Sequence, residues 1–130
     1  MFDALDIGAS GLTVQRTRMD IMAQNIANAN LVTYDAQGKP NPYRRRFAVV
    51  SSGQPGDPSQ PGVHVKEIKQ DMSPLIPKWD ENTHQFVMYP NVDPTVEFVN
   101  SIEASRAYEA NVTMMEVSKA MINASLRLLA

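Results

Sequence analysis

Residues 93–129 read DPTVEFVNSIEASRAYEANVTMMEVSKAMINASLRLL, a run with one proline, at its second position, and no glycine. Asp93 is a short polar cap, Pro94 suits a first helical position where its missing N–H is not needed, and Glu97 follows in the first turn. The pattern predicts a helix to about Leu129, roughly 36 residues and 54 Å at a rise of 1.5 Å per residue. An ordinary globular helix has about a third of that length. Ala107, Ala110, Met114, Val117, Met121, Ala124 and Leu128 keep a three-and-four spacing along it, the pattern of a helix packed lengthwise on another. Small alanines between large residues let a partner come close. Tyr108, Met115, Ile122 and Leu129 add apolar surface beside the stripe.

The other end of the chain answers it. From about Asp3 to Asn30 there is no proline, and Leu5, Leu12, Met19 and Ile26 recur every seven residues. Gly8, Gln15, Met22 and Ala29 fall three residues after each, so this segment too is expected to be a helix with one packing face. Gly8 and Gly11 weaken it by about 1 kcal/mol each relative to alanine; its order should depend on neighbours.

Between the two, Gly38, Pro40, Pro42, Gly53, Pro55, Gly56, Pro58, Pro61 and Gly62 end any helical pattern. Tyr43–Val50 and Val63–Ile68 read as strands of a hairpin, and Phe86–Tyr89 as a third strand. The stretch around Ser73–Pro77 has no clear period and is expected to be extended loop. The fold class is therefore mainly α with a small β insertion. Residues 1–34 and 91–130 form a discontinuous helical assembly domain, an α-hairpin or coiled coil, and 35–90 a proline-rich β or extended insertion. Two helices make a thin core, and surplus apolar surface on such a unit marks contact with other chains.

Composition narrows the function. With 130 residues, 43% of them hydrophobic and 20% charged, the chain suits one globular domain. A net charge of −2 gives no basic field to hold nucleic acid or an anionic membrane. No cysteine means no disulfide, thiolate metal site or cysteine nucleophile. Acidic Asp3 and Asp6 stand where a secretory signal carries basic residues, so no cleaved signal is expected. No apolar run approaches the roughly 18 residues of a membrane span.

Four stretches carry a resemblance. Gln24-Asn25-Ile26-Ala27-Asn28-Ala29-Asn30 resembles the asparagine-rich signature near the N-terminus of flagellar rod, hook and related axial proteins. Tyr43-Arg44-Arg45-Arg46-Phe47 and Tyr89-Pro90-Asn91-Val92-Asp93 are similar to segments framing the middle of the short proximal rod proteins, and Glu97–Val112 to their C-terminal signature. Trp79–Met88 departs from the family's usual histidine-proline and glycine-tyrosine-valine stretch. The resemblance implies a structural subunit of the bacterial flagellar rod in the basal body, which crosses the periplasmic space. It also implies passage through the flagellar type III export apparatus, partners that are copies of itself and other rod proteins, and no cofactor. The alternatives are another short rod protein of the superfamily and a soluble two-helix adaptor for one partner helix.

The candidate site residues follow. Subunit packing falls to Leu5, Leu12, Met19, Met22, Ile26, Ala107, Ala110, Met114, Val117, Met121, Ala124 and Leu128. Asn25, Asn28, Asn30, Arg106 and Asn111 are the polar candidates for fixing register between helices, as a seam asparagine does in coiled coils. Arg44-Arg45-Arg46 reads as an exposed or intersubunit salt-bridge face. His64 and His84 lack a second ligand at helical spacing and read as surface histidines. Glu103 and Glu109 lie on a long helix with no pocket-forming turn, so no enzyme is expected, and no metal.

Overall fold

The computed structural model describes residues 2–130; Met1, the first residue of the expected helical unit, lies outside them. The elements in chain order are α1 (Phe2–Ala27), β1 (Val32–Tyr34), β2 (Pro40–Pro42), β3 (Arg46–Ser52), β4 (Val63–Gln70), β5 (Ile76–Asp80), β6 (Gln85–Tyr89) and α2 (Pro94–Leu129). The fold class is the expected one: two long terminal helices and small β-hairpins between them. α2 starts as its sequence dictates, with Asp93 capping: its carboxylate accepts from the Thr95 N–H at 3.0 Å, and Pro94 follows in the first turn.

The helices run antiparallel. A Cβ added to Gly8 would stand 2.6 Å from the Met115 side chain, and one added to Gly11 would stand 2.8 Å from Asn111 Nδ2. The two glycines that weaken α1 therefore admit the side chains of α2 at close range. The face that α2 turns to α1 holds buried or half-buried Glu97, Ser101, Ala104, Tyr108, Asn111, Met115, Ser118 and Ile122, again in three-and-four spacing.

Three two-stranded antiparallel sheets follow one another: β1 with β2, β3 with β4, and β5 with β6. β3–β4 is the expected hairpin, with a bulge between Val49 and Val50. β6 is the expected third strand, and its partner β5 corrects the reading of this region as loop. Pro77 sits in β5 opposite Met88, a position that only a strand with a free edge tolerates. β1–β2 was not foreseen either, since Pro40 and Pro42 stand in its second strand. β3–β4 packs on α1, where Ser10 Oγ accepts from the Val63 N–H at 3.1 Å.

The core is thin: Val14, Ile21, Met22, Ala29, Val92 and Ala104 are its buried apolar side chains. The chain exposes 9083 Å², against about 6800 Å² for a compact monomer of this mass. Among the described residues no helix is long and apolar enough to cross a membrane.

Candidate functional site

Two features stand out: a buried polar joint where α1, β3 and α2 meet, and an apolar stripe on the outer side of α2. The joint is built from Asn25 outward. Its side chain is wholly buried and fully satisfied. Nδ2 donates to the Arg46 carbonyl at 2.8 Å and to Glu97 Oε2 at 3.2 Å. Oδ1 accepts from the Tyr43 hydroxyl at 2.8 Å and the Arg46 N–H at 3.0 Å.

Glu97 is equally buried, and its Oε1 accepts from Arg45 Nε. Arg45 reaches Asp71 with a second nitrogen at 3.5 Å. Asn91 Oδ1 accepts from the Arg45 N–H at 2.8 Å, while Asn91 Nδ2 donates to the carbonyls of Asp71 at 3.0 Å and Ser73 at 3.1 Å. A buried carboxylate is tolerable because it is paired and hydrogen-bonded on both oxygens. Among the described residues no buried side-chain polar atom lacks a partner.

The electrostatics follow from these contacts. Burial pushes the Tyr43 phenol above its ordinary range, with the Arg46 cation opposing and Glu97 reinforcing. The hydroxyl and N–H of Ser73, helped by Arg45 against some desolvation, hold the Asp71 carboxyl below the usual carboxylate range.

The joint gathers residues from every stretch that carries the resemblance: Asn25, then Tyr43, Arg45 and Arg46, then Asn91, then Glu97. Of the polar candidates, Asn25 is at its centre. Asn28 donates to the Gln24 carbonyl of its own helix at 2.9 Å, and Asn30 accepts from Lys78 Nζ at 3.3 Å. Asn111 faces Gly11, and Arg106 is exposed, with no ion pair among the described residues. The arginine run corrects its reading. Arg45 binds Glu97 and Asp71 of its own chain, and Arg44 donates to the Ser73 carbonyl at 3.2 Å. Only Arg46 is exposed. Glu97 stands in the first turn of α2, where an acid normally faces water, but its spacing to Ser101 and Ala104 puts it on the inner face and buries it.

The apolar candidates divide by face. Met22 is buried, and Leu5, Leu12, Met19, Ile26, Ala107 and Met114 are half-buried. Ala110, Val117, Met121, Ala124 and Leu128 are exposed. With Val99 and Ile102, also exposed, they form a stripe about one residue out of phase with the face that meets α1. Among the described residues no cluster of histidine or acidic side chains could hold a metal.

Comparison with known proteins finds flagellar relatives. Residues 5–33 match the family described as flagella basal body rod protein, and residues 84–128 the C-terminal family of flagellar basal body rod FlgEFG proteins. The chain is 37% identical to the flagellar basal-body rod protein FlgC of Yersinia enterocolitica, over 98% of this chain and 97% of that one. It is 34% identical to FlgC of Bacillus subtilis, over 98% and 97%, and 34% identical to FlgC of Borreliella burgdorferi, over 99% and 97%.

Proposed function

Because this chain belongs to the FlgC family of flagellar basal-body rod proteins and is a structural subunit of that rod, we propose that it assembles by helix packing and carries torque through those contacts. The observation behind the proposal is surface. The exposed area exceeds that of a compact monomer by about 2200 Å², enough for two or three partners at about 800 Å² each. Val99, Ile102, Val117, Met121 and Leu128 on the outer stripe of α2 are each more than half exposed. Residues 1–34 and 91–130 act as the assembly domain and 35–90 as an insertion that the polar joint holds at a fixed angle. The partners are copies of the chain and other rod proteins, reached by way of the flagellar export apparatus. Arg106, exposed and with no ion pair among the described residues, takes a carboxylate or carbonyl from a neighbour.

The role asks for no chemistry, only for stiffness in the joint and complementarity in the stripe. The test is complementation of a strain lacking the gene with Val117→Glu and Met121→Glu. Both residues are exposed in the single chain, so the fold should survive while recovered basal bodies and swimming are lost. Normal rods with both substitutions would remove the stripe from the assembly.

A further inference from the structure

An apolar groove runs between α1 and the connection from β3 to β4, lined by Val14, Pro55, Pro61, Val63 and Val65, with Asp6 at its side. At the far end of the molecule Leu126 and Leu129, three residues apart on one side of α2, are 59% and 85% exposed. Arg127, between them in sequence, is the last charged residue of the helix. The two surfaces match in chemistry: leucines for the valine and proline side chains that stand in the groove beside Ser10, Thr13 and Thr17, and, on the flank of the helix about 100° round from Leu126, one guanidinium for one carboxylate.

They cannot meet within one chain. Met115 lies level with Gly8, so Leu126 stands about 17 Å beyond that level at 1.5 Å per residue, while Val14 stands about 9 Å to the other side. Roughly 25 Å of straight helix separates them along the axis, and α2 runs away from the groove. We infer that the end of α2 of one copy docks in the α1–β4 groove of a second copy, with Leu126 and Leu129 in the groove and Arg127 against Asp6. Such a contact joins two different patches, so it repeats head to tail, and the rotation between copies decides whether it closes into a ring or continues. The inference rests on the assembly reading above and adds to it the identity of one contact.

The chain has no cysteine, which makes the test clean. Val65→Cys and Leu126→Cys are introduced together in the full-length protein, which is oxidised mildly over a range of concentrations. Within one copy the pair is far beyond the roughly 7 Å that a disulfide spans. The expected product is a concentration-dependent ladder of covalent multimers, with the 65–126 link found by peptide mapping. Asp6→Arg or Arg127→Asp alone should lower its yield about two- to fivefold, and the two together restore it. No 65–126 link, or equal dimerisation of Leu126→Cys alone, overturns the docking; so does a link formed in basal bodies only to a different rod protein. The Val117→Glu and Met121→Glu strains separate the two ideas. If they lose rods while the 65–126 pair does not link, assembly through the stripe stands and the docking falls; if they build normal rods and no 65–126 link forms, both fall.

Discussion

Replacing Asn25 by alanine should cost more than any other single truncation in α1. The side chain satisfies four groups at once: the Tyr43 hydroxyl, the N–H and carbonyl of Arg46, and Glu97 Oε2. A buried polar group left without its partner costs about 1–3 kcal/mol. If water entering the gap rescues half of the four, the loss is about 4 kcal/mol, a drop of roughly a thousandfold in the folded-to-unfolded ratio. Small domains have only about 5–15 kcal/mol in total, and this core is thin. Asn25→Asp keeps the shape but sets a carboxylate against Glu97 Oε2, now 3.2 Å from the Asn25 nitrogen, so it should be at least as damaging. The assay is complementation of a null strain, scoring swimming and recovered basal bodies, with protease resistance of the purified variants alongside. Rods should be scarce at normal expression and partly restored by overexpression, since assembly draws on the folded form by mass action. Wild-type rod numbers and protease resistance in Asn25→Ala would refute the reasoning.

Ala110→Phe and Ala124→Phe alter exposed positions, so circular dichroism of the single chain should be unchanged while rod formation fails; unchanged motility would show that nothing packs closely there. Gly11→Leu should splay the helices, since even a Cβ there stands 2.8 Å from Asn111 Nδ2 and overpacking costs about 1–3 kcal/mol. Gly11→Leu with Asn111→Ala should recover part of the lost helix signal. Asp71, held below its ordinary value of 3.8 in the fold, contributes stability that is present above that value and lost as pH falls through the lowered one. Melting curves from pH 7 to about pH 2.5 should show a smaller acid-induced fall for Asp71→Asn than for the wild type.

Much of the fold is legible in the sequence because local signals agree with the tertiary result. Asp93-Pro94 starts α2 and nothing breaks it before Leu129. The alternation of Val63 and Val65 with polar neighbours marks β4. β5 escapes because five residues with a proline inside have no pattern of their own; the pairing with β6 makes them a strand. The phase of α2 is harder. Its inner face carries Glu97, Ser101, Asn111 and Ser118, so a search for apolar period finds the stripe on the outside instead. That mismatch is informative: the face richest in apolar residues is not the one that meets α1. The joint is hidden for a related reason. Arg45 and Glu97 have the composition of surface charges, 52 residues apart, and only the third dimension shows that they neutralise each other beside Asn25.

Electron cryomicroscopy of the native basal body, at a resolution that places side chains, tests the assembly account most directly. Val99, Ile102, Val117, Met121 and Leu128 are expected against helices of neighbouring subunits, with the Asn25–Arg45–Glu97 joint intact inside each one. A rod in which that stripe faces solvent while the subunits touch through the β-hairpins would contradict it.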